Sequence, residues 1–311
     1  MTVLAPNLRC VDVQIRRIPA VIGTAVFESA DGVTLVDPGP TSCLPVLLAD
    51  LETGGVGVKD VRAILLTHIH LDHAGATGTL LRENPAIRVY VHERGTPHLI
   101  DPERLLASAT RLYGAAMDEL WGAFLPVPAD AITSLAGGER LSVGGRSFQV
   151  QYTPGHASHH VSYLDEETRI AFVGDTAGIR IPPSSFVLAP TPPPDIDIEL
   201  WLTSIDRIAA WHPRALFLTH FGLVETPVPH LQQVAERLQE QASLARQALE
   251  MKVPEPEQRR FFVDTLLRNL HRQLPAPEVQ RYELAVAVDL CWFGLVRYWK
   301  HRGVPAASDS R

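Results

Sequence analysis

Cysteine is scarce in this 311-residue sequence, which has three, at positions 10, 43 and 291. Thiols so few and so widely separated exclude a disulfide framework and a metal site built from thiolates. The N-terminus also lacks a basic segment followed by an apolar one, which is the pattern of a secretory signal. We therefore expect a cytoplasmic protein.

Long apolar runs are missing as well. No run approaches the roughly 18 apolar residues that a membrane-spanning helix requires. The best candidate, residues 284–299, is interrupted by Asp289 and Arg297 and is predicted to be a buried helix. The sequence therefore predicts no membrane partner.

Positive charge is not in excess, because 28 Lys and Arg face 35 Asp and Glu, for a net charge of −7. Proteins that bind nucleic acid usually carry a basic stripe, so no nucleic-acid partner is predicted. The chain also lacks the Gly-x-Ser-x-Gly nucleophile turn, the phosphate loop ending in Gly-Lys-Ser/Thr, and the Gly-x-Gly-x-x-Gly turn. What is present is ordinary globular composition, with 46% hydrophobic and 20% charged residues.

Short runs rich in β-branched residues predict strands along the first two thirds of the chain. They lie at 11–18, 21–27, 33–36, 63–66, 89–92, 140–143, 147–152, 161–164, 170–173 and 215–218. Apolar residues at helical spacing predict helices at 44–51, 195–211, 231–251, 258–274 and 277–299. Six prolines in 182–194 predict an extended loop.

The change from mixed strands and helices to helices alone predicts the domain organisation. We expect one catalytic domain over residues 1–222 and a C-terminal helical region over 223–311. Helical spacing at about 96–132 predicts a helical insertion in the first domain. The C-terminal helices are expected to cover the core or to support a homodimer.

One segment, Thr67-His68-Ile69-His70-Leu71-Asp72-His73, is dense in residues that bind metals. Residues two apart in an extended segment point the same way, so His68 and His70 can hold one ion together. Asp72 and His73 follow as the chain leaves the strand, where they can face a second ion. Imidazole and carboxylate ligands favour zinc, with iron or manganese as alternatives.

Three further metal-competent residues each follow a predicted strand: His156, Asp175 and His220. Ligands at strand ends meet at one edge of a sheet, which is where sites of layered α/β proteins usually lie. Each residue alone is weak evidence, but together with the first cluster they predict a metal site.

The order His68-x-His70-x-Asp72-His73, then His156, Asp175 and His220, resembles the metallo-β-lactamase-fold hydrolase superfamily. The likeness covers roughly residues 10–222 and includes the Asp37-Pro38-Gly39 turn and the Thr153-Pro154-Gly155-His156 element. It implies an α/β fold, a four-layer αββα sandwich with a dinuclear metal centre at one edge. Here the helical insertion and the C-terminal helices would be additions to that sandwich.

The resemblance also implies a role for each ligand residue. His68, His70 and His156 would hold the first metal, and Asp72, His73 and His220 the second. Asp175 would bridge the two metals. Asp37 would orient a ligand histidine through a hydrogen bond.

Two divalent ions about 3.5–4 Å apart can share a water and bring its pKa towards about 7. The sequence therefore predicts a hydrolase that uses a metal-bound hydroxide to cleave a small ester, thioester or lactone. Asp72 would serve as a ligand and also as the catalytic group that passes a proton to the leaving group. The predicted cofactors are two divalent metal ions, zinc first among them, and the predicted partner is a small-molecule substrate.

The motifs are closest to those of hydroxyacylglutathione hydrolases and acyl-homoserine lactone lactonases, with one departure. In His156-Ala157-Ser158-His159-His160, the position that is glycine in those proteins is His159. His159 is bulkier than glycine and could project into the cleft. Three residues of the insertion, Tyr113, Met117 and Trp121, are candidates for an apolar pocket wall, with simple helix packing as the alternative.

Other functions of the same fold stay open at the level of the sequence. One is a persulfide dioxygenase-like oxidoreductase with a single iron, and others are phosphodiesterases and β-lactam hydrolases. The negative charge argues against phosphodiester substrates, and the missing export signal argues against β-lactams. A metal-binding scaffold is a further alternative, which the complete set of seven ligands argues against.

Overall fold

The computed structural model of the chain describes residues 2–304, which form thirteen β-strands and eleven α-helices. The strands are β1 (Thr2–Ala5), β2 (Leu8–Asp12), β3 (Gly23–Ser29), β4 (Gly32–Val36), β5 (Val61–Leu65), β6 (Arg88–His92), β7 (Ile132–Leu135), β8 (Arg140–Val143), β9 (Arg146–Tyr152), β10 (Val161–Asp165), β11 (Ile170–Phe172), β12 (Ala215–Leu218) and β13 (Gly222–Val224). The helices are α1 (Leu44–Thr53), α2 (Leu71–Ala74), α3 (Thr77–Glu83), α4 (Thr96–Ile100), α5 (Glu103–Tyr113), α6 (Met117–Leu120), α7 (Ile198–Ala210), α8 (Pro227–Glu250), α9 (Glu255–Gln273), α10 (Ala276–Ala285) and α11 (Val288–His301).

The strands form two sheets. The seven-stranded sheet has the order β1-β2-β3-β4-β5-β6-β7, and the six-stranded sheet has the order β13-β12-β11-β10-β9-β8. The strands β4, β5, β6 and β7 are parallel neighbours in the first sheet, and β11 and β12 are parallel in the second. The carboxyl ends of parallel strands lie at the same edge of a sheet, so the segments that follow β4 and β5, and those that follow β11 and β12, are brought together.

Successive side chains of a strand point to opposite faces of its sheet, and the apolar side chains on the inner faces explain why the two sheets pack face to face. In β3, Phe27 belongs to the core between the sheets, whereas its neighbour Val26 faces the helices on the outer side. Phe27 meets Phe148 and Phe172 of the second sheet edge-on, with ring centroids 5.4 Å and 5.1 Å apart. Such offset aromatic pairs add stability beyond the burial of their surface.

The outer face of each sheet is covered by helices. Against the first sheet lie α1, α3 and residues of α4 and α5, and against the second lie α7 and the C-terminal helices α8, α9 and α11. The layers are therefore helix, sheet, sheet, helix, and the predicted αββα sandwich is confirmed. Trp201 and Trp292, both fully buried, anchor the layer that covers the second sheet.

Several predicted elements need correction. The predicted strand at 11–18 ends at Asp12, because the Asp12 carboxylate accepts hydrogen bonds from the backbone of Gln14 and Ala20 and a loop with positive φ angles follows. The helices of the predicted insertion end at Leu120, and residues 132–135 form β7. The predicted helix 277–299 is two helices, separated at residues 286–287. A strand beyond Gly222 was not predicted, yet β13 begins there.

The predicted loop at 182–194 contains no helix or named strand, although Leu188 forms an isolated bridge with Ile179. None of the helices in residues 2–304 combines the length and the apolar composition that a membrane span requires.

Candidate metal centre

The predicted ligands lie where strands end, at one edge of the sandwich. His68 and His70 lie on the extended segment after β5, and α2 carries Asp72 and His73. His156 follows β9, Asp175 follows β11 and His220 follows β12. Hydrogen bonds join the two sheets beside these segments, from Gly23 N to Thr219 O (2.8 Å) and from Val161 N to Thr67 O (2.8 Å).

Two glycines let the backbone reach this edge. Gly155 has φ +133°, and a Cβ there would lie 2.3 Å from the Trp201 Cα of α7. Gly174 has φ +44°, and a Cβ there would lie 2.5 Å from Thr67 Oγ1. Any larger residue would displace the loops that carry His156 and Asp175.

The first group of ligand atoms is formed by three histidines. Nε2 of His68 and Nε2 of His156 each lie 3.0 Å from Nδ1 of His70. These three nitrogens form one of the groups close enough to share a cation.

The second group is formed by Asp72, His73 and His220. Nε2 of His220 lies 3.2 Å and Nε2 of His73 lies 3.7 Å from Oδ2 of Asp72. Both histidines are buried, whereas the Asp72 side chain is 17% exposed. This second group is therefore open to a ligand on the side of Asp72.

Asp175 lies between the two groups and faces each with a different oxygen. Oδ2 lies 3.4 Å from Nε2 of His156, in the first group. Oδ1 lies 3.2 Å from Nε2 of His73 and 3.6 Å from Nε2 of His220, in the second group. Asp175 thus places one carboxylate oxygen beside each group of candidate ligands.

In two of the histidines, the ring nitrogen that faces away from the ligand groups makes a hydrogen bond, and this bond decides which nitrogen carries the hydrogen. Nδ1 of His156 contacts the carbonyl oxygen of Pro190 at 2.9 Å, and Nδ1 of His220 contacts that of Val21 at 2.7 Å. A carbonyl oxygen only accepts, so Nδ1 carries the hydrogen and Nε2 offers its lone pair. In this tautomer Nε2 of each ring is free to bind a metal.

Asp37 makes the hydrogen bond to a candidate ligand histidine that the resemblance implies. Its Oδ2 contacts Nδ1 of His73 at 2.8 Å and accepts the hydroxyls of Thr67 (2.7 Å) and Thr219 (2.8 Å). Its Oδ1 accepts the backbone N–H of Thr67 at 2.8 Å. One fully buried carboxylate thus fixes a ligand histidine and the threonines before His68 and His220.

Unpaired atoms show that the site fits a cation. Within residues 2–304, Nε2 of His73, Nε2 of His220 and Oδ1 of Asp175 are buried without a hydrogen-bond partner. Buried polar atoms are almost always paired, so three unpaired atoms in one cluster fit a site that a cation can occupy. The mixture of imidazole and carboxylate suits zinc, iron or manganese.

Burial and neighbouring charges set the protonation of the ligands. Burial, followed by the nearby His156, lowers the pKa of His70 to about 4, and burial together with His73 and His70 lowers the pKa of His68. Burial also acts to lower the pKa of His73, but the carboxylates of Asp72, Asp175 and Asp37 raise it well above its usual value. A cation at this position would replace the proton of His73.

A cavity of about 250 Å³ opens onto the ligands, with His70, Asp72, His156 and Asp175 in its wall. Of the four candidates for the substrate pocket, Tyr113, Trp121 and His159 line this cavity. Met117 does not line it. Met117 begins α6 and packs, half-buried, against the core of the first sheet.

His159 projects into this cavity beside the first group of ligands. Its ring is stacked on that of His68, with centroids 6.1 Å apart and planes at 11°. Its Nδ1 accepts the backbone N–H of Ile69 at 3.4 Å. The hydrogen of the neutral ring is therefore on Nε2, where it can be donated to a molecule in the cavity.

Several residues beside the site were given no role by sequence reasoning, among them His160, which the motif contains. His160 is fully buried, and its Nδ1 contacts the hydroxyls of Thr153 (2.9 Å) and Thr176 (3.2 Å). The threonines before His68 and His220 could have been noticed as a repeated Thr-His pair. The carbonyl oxygens of Val21 and Pro190 left no signal, because every residue has a carbonyl.

Comparison with known proteins gives a family for this architecture. The sequence model of the metallo-beta-lactamase superfamily matches residues 21–220. A metallo-beta-lactamase fold-containing protein of Sulfurisphaera tokodaii is 31% identical over 179 residues, which are 56% of this chain and 66% of that protein. A hydroxyacylglutathione hydrolase of Yersinia enterocolitica is 32% identical over 142 residues, which are 46% of this chain and 41% of that protein.

The similarity of fold extends further than the similarity of sequence. A metallo-beta-lactamase family protein of Thermus thermophilus superposes with a TM-score of 0.71, covering 97% of this chain and 95% of its own, at 23% identity. The matches in sequence span between 41% and 66% of the two curated relatives. The common fold therefore includes the C-terminal helices, whereas the sequence likeness is concentrated in the sandwich.

Proposed function

This chain belongs to the metallo-beta-lactamase superfamily, and on that premise we propose that it is a hydrolase that uses two divalent metal ions, zinc first among them. The proposed substrate is a small ester, thioester or lactone. The name of the Yersinia enterocolitica relative, hydroxyacylglutathione hydrolase, favours an acyl thioester.

The observation that carries this proposal is the position of Asp175 between the two groups. One of its oxygens faces His156 and the other faces His73 and His220. A site for one ion would need only one of these groups. This argues for two ions rather than the single iron of a dioxygenase-like enzyme.

Two divalent ions bound in these groups would polarise a substrate carbonyl and bring the pKa of a water towards about 7. Side chains of the protein would supply the proton transfer and a hydrogen bond to the substrate. Asp72 lines the cavity, and the oxygen that faces His73 and His220 is Oδ2, which leaves Oδ1 to carry a proton to the leaving group. The Nε2–H of His159 is placed to donate to the substrate.

The test is a panel of substrates with metal removal. We expect the zinc-loaded protein to hydrolyse an S-acyl thioester, an aryl ester or a lactone faster than a phosphodiester or a chromogenic β-lactam. A chelator should abolish the activity, and zinc should restore it. Oxygen consumption with a persulfide and one iron per chain would contradict the proposal.

His159 offers a test of the cavity wall. His159→Ala should lower kcat/KM about tenfold, which is the loss expected when one hydrogen bond to the substrate disappears. Its zinc content should stay that of the unaltered protein, because His159 belongs to neither group of ligands. An unchanged kcat/KM on every hydrolysed substrate would show that His159 does not contact the substrate.

Tyr113 and Trp121 pack edge-to-face, with ring centroids 5.1 Å apart, and both line the cavity. We expect Tyr113→Phe, which removes a hydroxyl, and Trp121→Phe, which removes part of the apolar wall, to raise KM about threefold to tenfold with unchanged metal content. Steady-state kinetics and metal analysis check this. Met117→Leu, which alters a residue outside the cavity, is the control and should leave KM unchanged.

A further inference from the structure

The cavity beside the metal ligands is not uniform in character. Its walls come from α4 and α5, from the loop that follows Asp175, and from the junction of α10 and α11. Its wall contains both basic side chains and apolar side chains. This combination indicates the chemistry of the substrate, provided that the proposed hydrolase function holds.

The helix α5 carries side chains of both kinds. Residues four apart lie on one face of a helix, and the cavity is lined by Arg104, Ser108 and Leu112 and by the adjacent row Leu105, Ala109 and Tyr113. From Arg104 to Leu112 the helix rises about 12 Å, at 1.5 Å per residue. Along the first row the lining changes over this length from a guanidinium through a hydroxyl to an apolar group, and the second row is apolar up to the ring of Tyr113.

The basic part of the wall is formed by Arg94, His98 and Arg104. In the described part of the chain, neither Arg94 nor Arg104 has a carboxylate oxygen within 4.0 Å, whereas Arg9 and Arg146 are paired with carboxylates. Both arginines are exposed. In a protein of net charge −7, two guanidinium groups without a carboxylate partner at one cavity favour a negatively charged ligand there.

The apolar part of the wall is completed by the C-terminal helices. Ala285, Val286 and Leu290, at the junction of α10 and α11, line the cavity opposite the insertion. Leu284 and Ala285 also pack against the core of the first sheet, so the junction reaches across from the other helical layer. An apolar group between α5 and this junction would be shielded from water on two sides.

We propose that the substrate is an ester or thioester with an anionic group that binds Arg94 and Arg104, and with an apolar acyl group that lies between the apolar end of α5 and the α10–α11 junction. Guanidinium groups pair well with carboxylate or phosphate, because their donors match two oxygens at once. The proposal rests on the proposed function, and it adds the chemistry at both ends of the substrate.

Two thioesters that differ only in charge test the anionic end. They are the butyryl thioesters of 4-mercaptobenzoic acid and of 4-mercaptobenzamide, and hydrolysis of either releases a thiol that can be followed by absorbance. We expect the zinc-loaded protein to show a KM about tenfold or more lower for the carboxylate, with a similar kcat, as expected of a charge-assisted hydrogen bond at an exposed site.

The double variant Arg94→Gln/Arg104→Gln should remove this preference. The matched control is Arg82→Gln/Arg111→Gln, which removes the same charge from exposed positions outside this cavity and should keep the preference. Equal KM values for the two thioesters in the unaltered protein, or a preference that survives in Arg94→Gln/Arg104→Gln, would overturn the inference while hydrolysis itself still stood.

The apolar end is tested by the length of the acyl group. Lengthening it from acetyl to hexanoyl should lower KM in the unaltered protein, and Leu112→Asn should reduce that gain. If neither thioester, nor any ester or lactone of the panel, were hydrolysed, the proposed function would fail, and binding would decide the inference separately. Calorimetry should then show that hexane-1-sulfonate binds more tightly than hexane-1-sulfonamide, and equal affinities would contradict the inference.

Discussion

The variant Asp175→Ala is expected to hold fewer than two metal ions and to lose most of its hydrolytic activity. Asp175 is the residue whose two oxygens face both groups of ligands, so its removal weakens both ion sites at once. Loss of a hydrogen-bond partner of a ligand typically costs 10- to 100-fold, and loss of a bridging ligand should cost about 100-fold or more. Metal analysis and steady-state kinetics of the same preparation measure both effects.

Asp175→Asn keeps the size of the side chain but only one of its two oxygens. Because an amide nitrogen is not a metal ligand, this variant should also fail to bind both ions. Asp206→Ala, which alters an exposed carboxylate on α7, is the matched control and should retain both ions and full activity. Two ions and full activity in Asp175→Ala would show that Asp175 does not bridge. Circular dichroism of each variant would separate this result from loss of the fold.

Asp37→Ala should both destabilise the protein and weaken its metal binding. The change leaves the Thr67 N–H, the hydroxyls of Thr67 and Thr219, and Nδ1 of His73 without their acceptor in a fully buried position. A buried donor left unpaired costs about 1–3 kcal/mol, so a loss of about 3 kcal/mol or more in the free energy of unfolding is expected. Denaturant unfolding of the metal-free protein measures it.

Metal binding in Asp37→Ala should fall about 10- to 100-fold at the group that contains His73, because the ring loses its orienting partner. Titration with zinc in competition with a chromophoric chelator measures the affinity. Asp31→Ala, at an exposed position in the turn between β3 and β4, at the other end of β4 from Asp37, should change neither stability nor affinity. Unaltered zinc affinity in Asp37→Ala would contradict the orienting role of Asp37.

The sequence alone could point to the candidate ligands because each of them has a local signal. His68, His70, Asp72 and His73 lie within six residues, and each later candidate follows a strand that its apolar run predicts. The direction of the strands then brings all seven residues to the same edge of the sandwich. The pairing of sheets follows from alternation within strands such as β3, which the pattern of residues also shows.

Tertiary contacts decide the features that could not be predicted. The break between α10 and α11 falls at Val286 and Ala287, which interrupt no apolar pattern and have no glycine or proline to mark them. Arg94 and Arg104 look like ordinary surface charges until the fold places both at the cavity. The end of β2 at Asp12 depends on two hydrogen bonds to its side chain that sequence reasoning could not foresee.

The most direct test of the metal centre is anomalous diffraction from crystals of the zinc-loaded protein, measured at the zinc absorption edge. The account predicts two peaks, one among His68, His70 and His156 and the other among Asp72, His73 and His220, with an oxygen of Asp175 beside each. A single peak, or peaks away from these side chains, would contradict it.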